Sequence, residues 1–168
     1  MLRKMLLAGA SLLEENKKYV DSLNVFPVPD GDTGTNMSLT MKSVAQEVND
    51  CPNNNIDSLS EAFAKGALKG ARGNSGVILS QILRGMSSSF REESLTEINA
   101  KQFAKALTLG AETAYKAVTK PKEGTILTVV RMMSECATKL AKKKDISMED
   151  FLKEVVNQGE ETLKQTPE

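Results

Sequence analysis

The chain has 168 residues, of which 40% are hydrophobic and 26% charged, the ordinary composition of one globular domain. Lysine plus arginine and aspartate plus glutamate both number 22, so no net charge favours nucleic acid or an anionic membrane surface. There is no histidine, which excludes serine–histidine and cysteine–histidine nucleophiles and zinc–imidazole sites, so any chemistry must use carboxylates, hydroxyls, amides, lysine, arginine or a bound ion.

Helical periodicity continues through nearly the whole chain, interrupted by segments rich in glycine, proline and asparagine. The first helix carries an apolar stripe that we expect to face the core, and Pro27 lies beyond its end. That stripe comprises Leu2, Met5, Gly9, Leu12, Tyr19 and Leu23, widened by Leu6, Leu13 and Val20. The later pattern predicts six more helices, at about 35–48, 57–70, 79–90, 99–118, 126–140 and 147–165. The cap of the first of these after residue 50 is expected at Asp57 or Ser58.

No segment alternates with the period of a strand. The sequence therefore predicts an all-α fold, an antiparallel up-and-down bundle or barrel of about seven to eight helices, as one domain over residues 1–168. No apolar run is long enough for a transmembrane helix. Cys51 and Cys136 are far apart in sequence and favour free thiols in a reducing cytoplasm, although a disulfide between them stays open.

The first break in the helical pattern contains two aspartates separated by one glycine. Asp30 and Asp32 stand between a proline-containing entry and a run of small polar residues. Hard cations such as Mg²⁺ take oxygen ligands and commonly use one or two carboxylates, leaving positions for water and phosphate. Glycines let backbone N–H groups approach an anion closely. The alternative is a plain surface turn, because the same residue types also form turns.

Two further breaks share this polar, glycine-containing composition, at residues 70–76 and 123–125. A predicted helix follows each break, and a helix N-terminus offers unpaired N–H groups and partial positive charge to an anion. In an up-and-down bundle, breaks that follow helices one, three and five lie at the same end. The sequence therefore predicts one polyphosphate site built from all three. Glycines that merely end the preceding helices would not explain the paired aspartates.

Other aspartate motifs fit less well. An EF-hand that starts at Asp30 needs a bidentate glutamate at its twelfth position, which is Met41. A phosphatase with an aspartate nucleophile needs an apolar strand before the motif, and two prolines stand there instead. The Walker A and dinucleotide-binding patterns are both absent.

Three long segments closely resemble the N-terminal kinase domain of bacterial fatty acid kinases, which is similar to the nucleotide-binding L subunit of dihydroxyacetone kinases. They are Leu23–Met37, Lys65–Gln81 and Lys120–Thr128, within a resemblance that extends from about Met5 to Val130. The resemblance implies an α-helical barrel that binds ATP or ADP and two Mg²⁺ ions at one end. It also implies an N-terminal fragment of a longer multidomain kinase, because the family carries a closing segment that this chain lacks.

The resemblance assigns roles residue by residue. Asp30 and Asp32 are expected to be catalytic residues that ligate Mg²⁺. The third aspartate of dihydroxyacetone kinases falls at Val25, so Asn24 is favoured over Asp21 as a further ligand. Arg72 either adds positive charge to the site or forms a surface salt bridge. The nucleotide-binding residues are expected to be Thr33, Gly34, Thr35, Asn36 and Met37 in the first break, Gly73, Asn74, Ser75 and Gly76 in the second, and Thr125 and Ile126 in the third.

The implied function is that of a cytoplasmic, ATP-dependent phosphotransferase. Similar enzymes phosphorylate a fatty acid held by a separate fatty-acid-binding partner, giving an acyl phosphate for phospholipid synthesis. The fragment alone is expected to bind nucleotide with little turnover, and a homodimer would form through the full-length protein. Two alternatives stay open: the L subunit of a dihydroxyacetone kinase, which pairs with a histidine-bearing subunit, and a non-catalytic nucleotide-bound regulator.

Overall fold

The computed structural model describes residues 1–166 and contains seven α-helices and no strand within that range. The predicted all-α fold is therefore confirmed. The helices are α1 (Leu2–Leu23), α2 (Thr33–Asp50), α3 (Ile56–Gly70), α4 (Gly73–Glu92), α5 (Ala100–Ala117), α6 (Ile126–Leu140) and α7 (Met148–Gln165).

Each helix packs against the next one along the chain, and α2 also packs against α4. The apolar interior has two parts. One lies among α1 to α4 around Phe63 and Phe90, and the other lies among α4 to α7 around Phe151. The ring of Phe151 also meets that of Phe103 edge to face, with 5.9 Å between centroids.

Small residues let neighbouring helices approach closely. A Cβ atom at Gly85 on α4 would stand 2.5 Å from the carbonyl oxygen of Leu109, and one at Gly110 on α5 would stand 2.7 Å from that of Ile82. Both distances are below van der Waals contact, so the α4–α5 crossing requires glycine on both sides. Packing thus explains the glycines at this crossing, whereas Gly9 of α1 has open space around it.

The connections alternate between the two ends of the bundle. At one end, the hydroxyl of Ser75 donates to the carbonyl of Thr33 at 3.4 Å, and the Lys122 ammonium lies 5.9 Å from the centroid of the Phe26 ring. At the other end, the guanidinium of Arg3 donates to the carbonyl of Cys51 at 2.7 Å. We call these the site end and the far end.

Two expectations about individual helices need correction. Part of the expected core stripe of α1 is exposed, because Met5, Leu12, Tyr19 and Leu23 have between 42% and 65% of their surface accessible. The face that contacts the core is centred on buried Ala10 and includes Leu2, Leu6 and Leu13 of the predicted stripe. The cap of α3 is neither Asp57 nor Ser58. It is Asn55, whose side-chain oxygen accepts from the Ser58 N–H at 2.8 Å.

Two further features bear on the class of the protein. Cys51 and Cys136 are both free thiols, and burial raises the pKa of Cys136. Among residues 1–166, none of the helices combines the length and apolar character that crossing a membrane requires.

Candidate nucleotide and metal site

The loop between α1 and α2 is held by Asn24. Its amide nitrogen donates to the carbonyl of Val28 at 3.0 Å, and its oxygen accepts from the backbone N–H groups of Asp32 at 3.2 Å and Thr33 at 3.3 Å. Gly31 completes the loop with φ +64°, a conformation that side chains other than glycine rarely adopt. Asn24 therefore closes the loop around the paired aspartates, with its oxygen directed at backbone donors.

The carboxylates of Asp30 and Asp32 have no hydrogen-bond or ion-pair partner among residues 1–166. Asp30 is exposed and Asp32 is half-buried at the N-cap position of α2, where its side chain makes no capping bond. That range contains no cluster of three or more acidic, cysteine or histidine side chains suited to a metal. Two unpaired carboxylates fit Mg²⁺ nonetheless, because that ion binds one or two carboxylates together with water and phosphate oxygens.

The start of α2 is capped by a neighbouring helix. Asp21, in the last turn of α1, accepts from the Thr35 N–H at 2.9 Å and from the Thr35 hydroxyl at 2.6 Å. The Thr35 hydroxyl, with the N–H groups of Thr35 and Gly34, lowers the pKa of the Asp21 carboxyl. Sequence reasoning placed Asp21 second to Asn24 as a metal ligand and missed its role as a cap.

The run from Thr33 to Met37 forms the first turn and a half of α2. Buried Gly34 packs directly on α1, since a Cβ atom there would stand 2.2 Å from the carbonyl oxygen of Lys17. Asn36 and Met37 are half-buried, and the Asn36 side chain contacts Gly73 of the second break. The first and second breaks are therefore in direct contact.

The second break leaves the N-terminus of α4 uncapped. Its N-cap residue is Arg72, whose side chain has no acceptor atom, and no side-chain cap bond forms. Within residues 1–166, the N–H groups of Gly73, Asn74 and Ser75 have no acceptor, and the first intrahelical bond runs from Gly76 to the Arg72 carbonyl at 3.1 Å. This N-terminus is open to an anion.

The side chains of Thr40 and Arg72 lie beside the second break. Thr40 of α2 donates to the carbonyl of Asn36 at 2.9 Å and also lies 3.3 Å from that of Gly70. A Cβ atom at Gly76 would stand 2.6 Å from the Thr40 hydroxyl, so the two helices meet closely behind the open N-terminus. Arg72 makes no salt bridge in the described part of the chain, and its charge remains available at the site end.

The third break is ordered by a charged network. The Thr125 hydroxyl caps α6 by accepting from the Leu127 N–H at 3.3 Å and donates to the Lys122 carbonyl at 2.8 Å. Ile126, half-buried, begins the helix. The N–H of Gly124 donates to the Thr128 hydroxyl at 2.9 Å, which itself donates to Glu123 at 2.8 Å.

Glu123 is the centre of that network. Besides Thr128, its carboxylate accepts from the Arg131 guanidinium at 2.8 Å and from the Tyr115 hydroxyl at 3.1 Å. Arg131 and the two hydroxyls hold the pKa of Glu123 below its ordinary value. The contacts join the α5 C-terminus, the break and α6, so the position of Thr125 depends on three elements. Sequence reasoning missed Tyr115 and Arg131, because no local pattern links them to the break.

Comparison with known proteins identifies the family. The DAK2 domain matches residues 27–168, which is most of the chain. The chain therefore belongs to the DAK2 domain family. It is a nucleotide-binding domain like that of dihydroxyacetone kinases, within a family of kinases.

Curated relatives are similar to nearly the whole of this chain. Protein YloV of Bacillus subtilis (strain 168) is 51% identical over 165 residues, which cover 98% of this chain and 29% of the relative. An uncharacterized protein of Staphylococcus saprophyticus is 48% identical over 167 residues, covering 99% of this chain and 30% of the relative. The chain thus spans about three tenths of the length of these relatives.

Proposed function

We propose that this DAK2 domain is the ATP- and Mg²⁺-binding domain of a fatty acid kinase. One observation carries the nucleotide part: the unpaired carboxylates of Asp30 and Asp32 belong to the loop that enters α2, and α2 contacts the uncapped N-terminus of α4. A metal–triphosphate needs both kinds of group, acidic oxygens for the metal and N–H donors for the phosphates. The fatty acid part rests on the resemblance of the three motifs.

The residues would divide the work as follows. Asp30 and Asp32 would hold Mg²⁺, and Asn24 would fix the loop that carries them. The N–H groups of Gly73, Asn74 and Ser75 would donate to phosphate oxygens. When bound, Mg²⁺ supplies charge neutralisation on the phosphates, and phosphoryl transfer needs little beyond that and alignment of the reacting groups.

The acceptor chemistry agrees with a chain that has no histidine. A fatty acid carboxylate is already ionised near neutral pH, so it needs no general base to attack phosphorus. Its oxygen would form a bond to the γ-phosphorus while the bond from that phosphorus to the β–γ bridging oxygen breaks, leaving ADP and an acyl phosphate. A separate fatty-acid-binding partner would present the carboxylate.

Calorimetry of ATP binding, with and without Mg²⁺, tests the nucleotide part. We expect Asp30→Ala/Asp32→Ala to lose the Mg²⁺-dependent gain in affinity, because both proposed metal ligands are gone. The matched control is Asp50→Ala/Asp145→Ala, which removes two exposed carboxylates without salt-bridge partners at the far end. Undiminished Mg²⁺-dependent binding by the first double variant would refute the metal assignment.

A second activity remains in competition, because the family is named for dihydroxyacetone kinases. In that case the chain would be an L subunit, and a histidine-bearing partner subunit would hold dihydroxyacetone. Two parallel assays separate the activities. The first supplies Mg-ATP and an oleate-loaded fatty-acid-binding partner, and hydroxylamine traps any acyl phosphate as a hydroxamate. The second supplies Mg-ATP, dihydroxyacetone and the partner subunit that binds it. Hydroxamate formed only in the first assay supports the fatty acid kinase, and product only in the second overturns it.

A further inference from the structure

The capping of α2 by α1 distinguishes the metal side of the proposed site from the phosphate side. The first N–H groups of an α-helix have no partner within the helix. At α2, those of Asp32 and Thr33 donate to Asn24, and that of Thr35 donates to Asp21. The N-terminus of α2 is thus already occupied by acceptors from α1.

Asp21 brings a negative charge to this N-terminus. A carboxylate beside the first turn offsets the partial positive charge of the helix dipole. An anionic phosphate approaching α2 would therefore meet an unfavourable field, and the one N–H group of this turn without an acceptor in the described chain belongs to buried Gly34. At α4 the corresponding N–H groups are free and the N-cap residue is Arg72. Phosphate is consequently favoured at α4 and disfavoured at α2.

The contact between Asp21 and Thr35 is also sterically fixed. Both carboxylate oxygens are used, one by the Thr35 N–H and the other by its hydroxyl. Between Asp32 and Thr35, Gly34 lies so close to α1 that a Cβ atom would be 2.2 Å from the Lys17 carbonyl oxygen and 2.9 Å from the Cβ atom of Val20. The loop that carries Asp30 and Asp32 therefore enters α2 in one position, fixed by Asp21.

We propose that Asp21 is a positioning residue of the nucleotide site, which satisfies the N-terminus of α2 so that Asp30 and Asp32 stay free for a divalent cation and phosphate binds at α4. The inference rests on the proposed function. It assigns Asp21 an action through Thr35, whose N–H and hydroxyl each donate to one carboxylate oxygen, and no role as a metal ligand.

Glu14 provides a matched control on the same pair of helices. Like Asp21, it is a carboxylate on α1 that accepts a hydrogen bond from a hydroxyl of α2, in this case Ser38. It lies two turns earlier on α1 and away from the breaks. Each alanine variant thus removes a carboxylate that accepts from an α2 hydroxyl. Glu14→Ala also removes the ion pair with Lys17 of α1, and only Asp21→Ala alters the start of α2.

The experiment measures the dissociation constant of ADP with and without Mg²⁺, together with Tm, for wild type, Asp21→Ala, Asp21→Asn and Glu14→Ala. For Asp21→Ala we expect Mg-ADP affinity to fall roughly tenfold, the size of effect typical for a lost charge-assisted hydrogen bond. Metal-free ADP should bind as well as to wild type or better, because the repelling charge is gone. The Mg-ADP affinity of Asp21→Asn should lie between those of wild type and Asp21→Ala, since asparagine keeps an acceptor for the Thr35 N–H.

A purely structural role predicts a different pattern. Both alanine variants would then lower Tm, and affinities measured well below Tm would change alike with and without Mg²⁺. That result overturns the inference, as does wild-type Mg-ADP affinity in Asp21→Ala. Failure of the wild-type chain to bind ADP with Mg²⁺ would instead refute the proposed function. Glu14→Ala should keep its dissociation constants within about twofold of wild type, a difference below 0.5 kcal/mol.

Discussion

The two ends of the bundle cap their helices differently. At the far end, three helices begin after a connection, and each is capped by a residue immediately before it. Asn55 caps α3, Asn99 caps α5 in a reciprocal capping box with Gln102, and Ser147 caps α7. These caps are local to each connection, although Arg3 of α1 also donates to the carbonyls of Cys51 and Asn53 in the first of them.

The site end uses a different arrangement for each helix. A neighbouring helix caps α2 through Asp21 and Asn24, α4 has no side-chain cap, and Thr125 caps α6 locally. The far end is thus built for stability, whereas the site end leaves donors at α4 and carboxylates in the preceding loop without protein partners. These free donors and carboxylates of the site end lie where a metal–phosphate ligand would complete them.

The largest expected effect comes from filling the open N-terminus of α4. Gly73 has φ +61°, and a Cβ atom there would stand 2.2 Å from the Asn36 amide nitrogen. We expect Gly73→Ala to weaken Mg-ATP binding at least tenfold, or about 1.4 kcal/mol, because the donors at α4 are displaced. Calorimetry at a temperature well below Tm measures the change.

The control for Gly73→Ala is a glycine with open space around it. At Gly9 on α1, no atom lies within 4 Å of the place that a Cβ atom would take. Gly9→Ala should leave ATP affinity unchanged and raise stability by up to about 1 kcal/mol, because alanine favours the helix. Equal ATP affinities for the two variants would show that the N-terminus of α4 does not bind phosphate.

A smaller effect is expected at the third break. Glu123→Gln removes the carboxylate that joins Arg131, Thr128 and Tyr115, so Thr125 should be held less firmly and Mg-ATP affinity should fall about threefold, or 0.7 kcal/mol. An unchanged Mg-ATP affinity in Glu123→Gln would show that the third break does not contribute to nucleotide binding. Lys105→Gln breaks the ion pair with Glu93 at the far end and serves as the control.

The same substitution has a pH dependence of defined sign. The pKa of Glu123 is lowered in the folded protein, so its contribution to stability is present above the ordinary glutamate pKa and is lost as pH falls through the lowered value. The difference in Tm between wild type and Glu123→Gln should therefore be constant near neutral pH and shrink below about pH 4. Because the side chain is 62% exposed, solvent limits the size of that difference.

The smallest effect on nucleotide binding is expected at the far end. Asn99→Ala removes the side chain that accepts from the Gln102 N–H at 2.9 Å and should cost about 1 kcal/mol of unfolding free energy. Urea unfolding gives the stability and calorimetry gives the ATP affinity, which should not change. A loss of affinity would show that the two ends are coupled and do not act independently.

The sequence determined the features that depend on short segments of chain. Helical periodicity and the breaking residues predicted the helices and the even spacing of the three breaks, because both signals extend over only a few turns. The structure joins the first break to the second through Ser75 and Thr33, and to the third through Lys122 and Phe26. The unpaired state of the Asp30 and Asp32 carboxylates, however, is visible only in the folded chain.

Tertiary structure decided which helix face is buried and which residues cap each helix, because periodicity alone does not distinguish the alternatives. Helix α1 carries apolar residues on more than one face, and only packing selected the face of Ala10 over that of Leu12. The cap of α2 comes from Asp21, fourteen residues before Thr35 in the chain, and no local pattern marks such a pairing. Short-range signals thus placed the three breaks at one end, and long-range contacts determined which of their helix N-termini is left open for phosphate.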